Sequence, residues 1–187
     1  MNVPNQLTLV RILLIPFFIM ILLMPSIPFH YLIALIIFIL ASFTDFLDGY
    51  LARKHSLITD FGKLMDPLAD KLLVTAALIC FVELGLVSSV AVIIIISREF
   101  LVTSIRLIAA GKGNVLAADK WGKYKTVLQM VTIIVILLGE HLKFVQVIPV
   151  EYSLRSVYNL FIYMTVFLTL SSGINYIIKN KEIFNDK

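Results

Sequence analysis

FHYLIALIIFILASFTDFLDGYLA, residues 29–52, begins as a run fit for lipid and ends in two carboxylates and a glycine. Lysine, arginine, aspartate and glutamate are all absent between Phe29 and Thr44. With the turns that follow, the run is long enough for a helix of about 20 residues to cross a hydrocarbon core. The rest of the chain has the same character: of 187 residues, 60% are hydrophobic and only 15% charged, and the mean hydropathy is +0.98. A water-soluble domain of this size could not bury so much apolar surface, so the chain reads as an all-α polytopic membrane protein. Six candidate spans fall at roughly 7–27, 29–52, 63–85, 86–110, 122–142 and 153–178. The connections are too short for a soluble domain, so residues 1–187 are expected to form a single transmembrane domain.

The first span carries Arg11 and lacks a small-residue cleavage site, which marks a retained helix and not a removed signal. Residues 2–11 are expected to begin as an interfacial turn, with Pro4 at a helix start and the Pro25 and Pro28 pair in a turn at the far end. Cys80 stands alone in an apolar run, a small filler with no disulfide partner. His30, His55 and His141 are assigned to different membrane boundaries, and Trp121 to the interfacial belt.

Cytoplasmic connections retain lysine and arginine. With the amino terminus inside, alternate connections carry Arg53, Lys54 and Lys63, then Lys112, Lys120, Lys123 and Lys125, then Lys179, Lys181 and Lys187. The opposite side has only Lys143 and Arg155, and its connections PSIPFH and ELGLVSS contain neither lysine nor arginine. Both termini are therefore expected on the cytoplasmic side of a bacterial-type cell membrane, together with the connection that follows residue 52.

That connection lies between two pairs of carboxylates. Asp45 and Asp48 are three apart, and Asp66 and Asp70 four apart, so each pair shares one helical face. If the faces meet, mutual repulsion among four carboxylates calls for hard divalent cations, and oxygen-only ligands favour Mg2+ or Mn2+ over zinc. Gly49 and Gly62 permit close backbone approach, and Arg53 adds a fixed cation. Gly49 would cost a helix interior about 1 kcal/mol relative to alanine, which points to something bulky packed against the backbone there.

Asp45-Phe-Leu-Asp48-Gly49-Tyr-Leu-Ala52-Arg53, followed by Gly62, Asp66 and Asp70 at fixed spacing, resembles the signature of the CDP-alcohol phosphotransferases at every fixed position. The resemblance implies a six-helix membrane enzyme with a cytoplasm-facing active-site cavity, commonly a homodimer, that cleaves the pyrophosphate of a CDP-linked donor and releases CMP. It further implies that Asp45, Asp48, Asp66 and Asp70 hold two divalent cations and that Asp70 is the general base. Gly49, Ala52, Arg53 and Gly62 would lie along the donor, with Asn5, Thr8 and Arg11 as neighbours of the nucleotide. Two cations and an arginine suit chemistry in which negative charge builds on phosphoryl oxygens and on departing CMP. A diacylglycerol donor keeps its tails in lipid while its nucleotide needs water, so such a site belongs at the membrane boundary.

The acceptor is addressed by the second half of the chain. In SREFLVTSIRLIAAGKGN, Glu99, Thr103 and Arg106 fall at i, i+4 and i+7, while Arg98 lies well inside an apolar run. Charge at that depth calls for a protein cavity; the bland alternative is an Arg98–Glu99 network that only clamps helices. Arg106, Arg98, Lys123 and Lys125 together suit an acceptor with its own phosphate, although positive-inside topology accounts for some of the lysines.

The combination of NVPNQLTLVRI, SREF with Arg106, and WGKYKTVLQM resembles the phosphatidylglycerophosphate synthase branch, which implies CDP-diacylglycerol as donor and sn-glycerol 3-phosphate as acceptor. Inositol phosphate, or phosphatidylglycerol for cardiolipin synthesis, would be an alternative acceptor. Partners are then lipid and small molecules, with no nucleic acid. A divalent-cation transporter would use the same carboxylates as a path across the membrane, but the second and third spans become predominantly apolar beyond them.

Overall fold

A computed structural model describes the backbone of residues 3–54, 60–111, 120–149 and 153–180, and the side chains of residues 9–44, 71–109, 121–149 and 153–180. Among the described residues six helices follow one another: α1 Val3–Leu23, α2 His30–Lys54, α3 Asp60–Glu83, α4 Ser89–Gly111, α5 Lys120–Phe144 and α6 Arg155–Lys179. Their lengths of 21 to 25 residues correspond to about 31–38 Å at 1.5 Å per residue. Among the described residues, Trp121–Phe144 and Arg155–Lys179 are each long and apolar enough to cross a membrane, and Leu9–Leu23 and His30–Thr44 are shorter apolar helices.

Residues 3–11, expected to begin as an interfacial turn, are already helical. Pro4 sits in the first turn of α1, where its missing N–H would have had no helical partner anyway. Pro16 lies inside α1 and withholds the N–H that would otherwise meet the Ile12 carbonyl. Pro25 and Pro28 fall in the turn between α1 and α2, as expected, closed by Met24 N–H to Ile21 O and Ile27 N–H to Met24 O. At the other end of α3, Gly85 takes a left-handed φ of 68°, the conformation that ends helices most cheaply with glycine. Gln146 does the same after α5 at φ 58°. There the Gln146 N–H meets Lys143 O and the Val147 N–H meets Leu142 O, a Schellman closure made without glycine.

The chain forms two compact units, Met1–Leu84 with Ile133–Ser153, and Gly85–Thr132 with Leu154–Lys187. In the first, α1 packs against α2 and α3, and α2 against α3. Ile15, Phe18 and Leu22 of α1 are buried with Ala34, Phe38 and Ala41 of α2 and Ala77, Leu78 and Phe81 of α3. Phe18 and Phe38 meet with ring centroids 6.3 Å apart, and the alanines let the backbones approach. Leu13, Phe17, Ile36, Leu40 and Phe43 on the outer faces are exposed although equally apolar, a pattern suited to lipid and not to water.

His30 and His141, assigned from sequence to different boundaries, are instead brought to one aromatic cluster of this unit. His30 and Phe29 both pack edge-on against Phe144, and Phe29 also against His141. The start of α2 and the end of α5 therefore lie together, a pairing between residues more than a hundred positions apart. His55 lies outside the described residues.

In the second unit α4 packs against α6. The buried face of α6 is Tyr158, Ile162, Thr165, Thr169, Ser172, Gly173 and Tyr176, helical spacing with an unusual share of polar groups. Thr165 and Thr132 share a hydrogen bond of 3.0 Å between α6 and α5. Hydrogen bonds of this kind hold helices together where both surfaces are apolar.

Candidate active site

α2 is helical through Lys54, and α3 begins at Asp60, so all four aspartates of the signature stand on helical backbone. Three and four residues at 100° per residue place Asp45 beside Asp48, and Asp66 beside Asp70, on a common face of each helix. The two helices pack against each other within one unit. The side chains of Asp45, Asp48, Gly49, Ala52, Arg53, Gly62, Asp66 and Asp70 lie outside the described residues, as do those of Asn5 and Thr8 near the start of α1. Arg11, one turn further along α1, is buried to 1% exposure. A guanidinium held that deep in an apolar helix calls for compensating groups around it.

The second unit contains the basic residues singled out from α4 and α5. Arg98 donates from Nη1 to Glu99 Oε1 at 3.0 Å and from Nη2 to Ser172 Oγ at 3.0 Å. Lys125 Nζ reaches the same Glu99 Oε1 at 2.5 Å. The side chains of Lys125, Arg98 and Glu99 are 2%, 13% and 17% exposed. One carboxylate thus serves two cations in a poorly solvated place, tying α4 to α5 while the Arg98–Ser172 bond ties α4 to α6. Thr103 donates to the backbone carbonyl of Glu99 at 2.7 Å, which keeps its hydroxyl satisfied on its own helix.

Arg106, two turns beyond Arg98, is held differently. Its Nε donates to the Tyr176 hydroxyl at 3.3 Å, and its guanidinium carbon is 5.3 Å from the Tyr176 ring centroid. Lys123 is exposed, whereas Lys125 is buried. Two residues on a helix point about 200° apart, so adjacent members of one basic run take opposite surroundings. Arg98 and Lys125 are brought together with Glu99; Arg106 and Lys123 stand outside that ion network.

The α6 contribution was not anticipated. Ser172 and Tyr176 present hydroxyls to the two arginines of α4, and Gly173 leaves the space that Arg98 occupies. A Cβ at Gly173 would lie 3.0 Å from Arg98 Cγ, and one at Gly122 of α5 would lie 4.0 Å from Arg98 Nη2. The available signal was modest: Ser172 and Tyr176 are four apart in an apolar helix, with glycine between them.

Residues 1–171 match the CDP-alcohol phosphatidyltransferase family. The chain is 46% identical over 192 residues to the CDP-diacylglycerol–glycerol-3-phosphate 3-phosphatidyltransferase of Bacillus subtilis, a match covering 97% of this chain and 96% of that one. It is 36% identical over 183 residues to the protein of the same name from Rickettsia bellii, with 98% and 97% covered. A further relative of that name, from Haemophilus influenzae, is 42% identical over 138 residues, covering 71% of this chain and 73% of the relative.

Proposed function

Since the chain belongs to the CDP-alcohol phosphatidyltransferase family, we propose that it transfers the phosphatidyl group of CDP-diacylglycerol to sn-glycerol 3-phosphate, giving phosphatidylglycerol phosphate and CMP. The observation that carries this reading is the end-to-end similarity to the Bacillus subtilis enzyme, 46% identical over 97% of this chain. Membership in a transferase family sets aside the use of the same carboxylates as a cation path.

In the reaction the acceptor's hydroxyl oxygen bonds to the phosphatidyl phosphorus, the bond from that phosphorus to the CMP oxygen breaks, and the hydroxyl proton leaves. Asp70 takes that proton. Asp45, Asp48, Asp66 and Asp70 would hold two divalent cations, Mg2+ or Mn2+, for which an all-carboxylate set at i, i+3 and i, i+4 of two packed helices is a fitting donor set. When bound, the cations supply positive charge where the pyrophosphate oxygens gain negative charge. Arg53 adds to that field, Gly49, Ala52 and Gly62 leave room for the donor, and Asn5 and Thr8 neighbour its nucleotide. Arg106 and Lys123 meet the acceptor's phosphate, with Arg98 and Lys125 contributing positive potential from their ion network.

Six helices of membrane-spanning length fit a topology with both termini, the aspartates and the basic α4–α5 connection on the cytoplasmic side. There water-soluble acceptor, nucleotide and lipid-anchored donor can meet in a cavity open to the cytoplasm. The working assembly is a homodimer in the cell membrane.

The test is CMP release by purified protein with CDP-diacylglycerol, magnesium and a panel of acceptors. Glycerol 3-phosphate should support turnover far above inositol phosphate or phosphatidylglycerol. Preference for either of the others would overturn the acceptor assignment while leaving the transferase class intact.

A further inference from the structure

Arg98 and Arg106 lie on the same helix but are engaged to different extents. Both terminal nitrogens of Arg98 are occupied, by Glu99 and by Ser172. Arg106 is held by Nε alone, and its guanidinium makes no other hydrogen bond among the described residues. Its two Nη groups therefore retain the paired N–H donors that fit two oxygens of a phosphate. A free arginine side chain must give up much rotamer freedom to make such a contact, so holding it beforehand strengthens binding without adding a contact to the ligand.

Tyr176 supplies that hold. Its ring is 2% exposed and clusters with Val102 and Ile105, which flank the α4 turn leading to Arg106. Its main-chain carbonyl accepts both the backbone N–H of Asn180, at 3.2 Å, and the Asn180 side-chain amide, at 2.7 Å. Ring and backbone are thus both fixed, and the hydroxyl is presented to Arg106 Nε from a rigid support.

We propose that Tyr176 is a positioning residue for acceptor recognition: it orients Arg106 so that the outer edge of the guanidinium receives the acceptor's phosphate. The proposal rests on the acceptor reading above. It assigns to α6 a part in substrate selection, distinct from the bracing of Arg98 by Ser172.

The test is a double-mutant cycle on purified, detergent-solubilised enzyme. Tyr176→Phe keeps the ring among Val102 and Ile105 and removes only the hydroxyl. It should raise the KM for glycerol 3-phosphate by about tenfold, the scale of one lost hydrogen bond to a charged group. The KM for CDP-diacylglycerol, kcat at saturating acceptor and the thermal midpoint should stay near wild type. In an Arg106→Ala background the same change should add nothing, because the group it positions is gone. If Arg106→Ala raises the acceptor KM but Tyr176→Phe leaves it unchanged, Tyr176 has no positioning role. If Tyr176→Phe shifts both KM values alike, or lowers the thermal midpoint with them, its role is structural and the proposal fails. If Arg106→Ala itself leaves the acceptor KM unchanged, the acceptor reading of Arg106 fails first and takes the proposal with it.

Discussion

Glu99→Gln tests whether the charge network of α4 and α5 holds the fold or only decorates it. Glu99 Oε1 accepts from both Arg98 and Lys125, and the Lys125 side chain is 2% exposed. At an effective dielectric of about 20, two unit charges about 3 Å apart attract by roughly 5 kcal/mol. Desolvation of both partners offsets part of that, and breaking a buried pair typically costs about 3–5 kcal/mol because a charge is stranded. Glutamine keeps one oxygen as an acceptor, so a loss of about 3 kcal/mol is expected. For a chain of this length that corresponds to roughly 6–12 °C in thermal midpoint, read by heating the detergent-solubilised protein and following the fraction that stays monodisperse. Adding Lys125→Met removes the ammonium that faces position 99 at similar volume, and the double variant should recover at least half of the lost stability. Its activity should stay low if Lys125 also lends its charge to the acceptor. An unchanged midpoint in Glu99→Gln, or a double variant no more stable than the single one, would show that the network does not hold the fold.

Asp48→Asn and Asp66→Asn should each leave a folded, membrane-inserted protein with almost no turnover, and chelation of divalent cations should silence the wild type until Mg2+ or Mn2+ is restored; wild-type rates in either variant at ordinary magnesium would sink the metal assignment. Asp70→Asn should lower kcat by about 10² to 10⁴, a typical general-base contribution, while donor affinity measured calorimetrically changes far less; joint loss of donor and metal binding would make its role ligation instead. Thr165→Val removes the 3.0 Å bond to Thr132 between α6 and α5 and should cost only about 0.6 kcal/mol, the average for hydrogen bonds between membrane helices. Its midpoint should fall by no more than about 2 °C with activity intact, and a collapse of the fold would show that the polar face of α6 carries far more of the packing.

The helical class, the six helices of the described residues and the family are all legible in the sequence, because each depends on local information. Apolar runs mark the lipid-length segments, and the DFLDG pattern with Gly62, Asp66 and Asp70 needs only spacing along two helices to be read. Helix ends were less legible: α1 starts at Val3 and α3 at Asp60, ahead of the apolar runs near residues 7 and 63. Hydropathy senses lipid contact, whereas backbone hydrogen bonding continues past it. The surroundings of the basic residues, by contrast, follow from how the helices pack. Lys123 and Lys125 look alike in sequence, yet one is exposed and the other is buried against Glu99. Arg98 and Arg106 share a helix, yet one donates from both terminal nitrogens and the other, among the described residues, from Nε alone. Their partners Ser172 and Tyr176 lie 74 and 70 residues away, and His30 and His141 meet one aromatic cluster from opposite ends of the first unit's sequence. Pairings over such distances are set by which helix faces pack together, a choice that no periodicity within a single helix records.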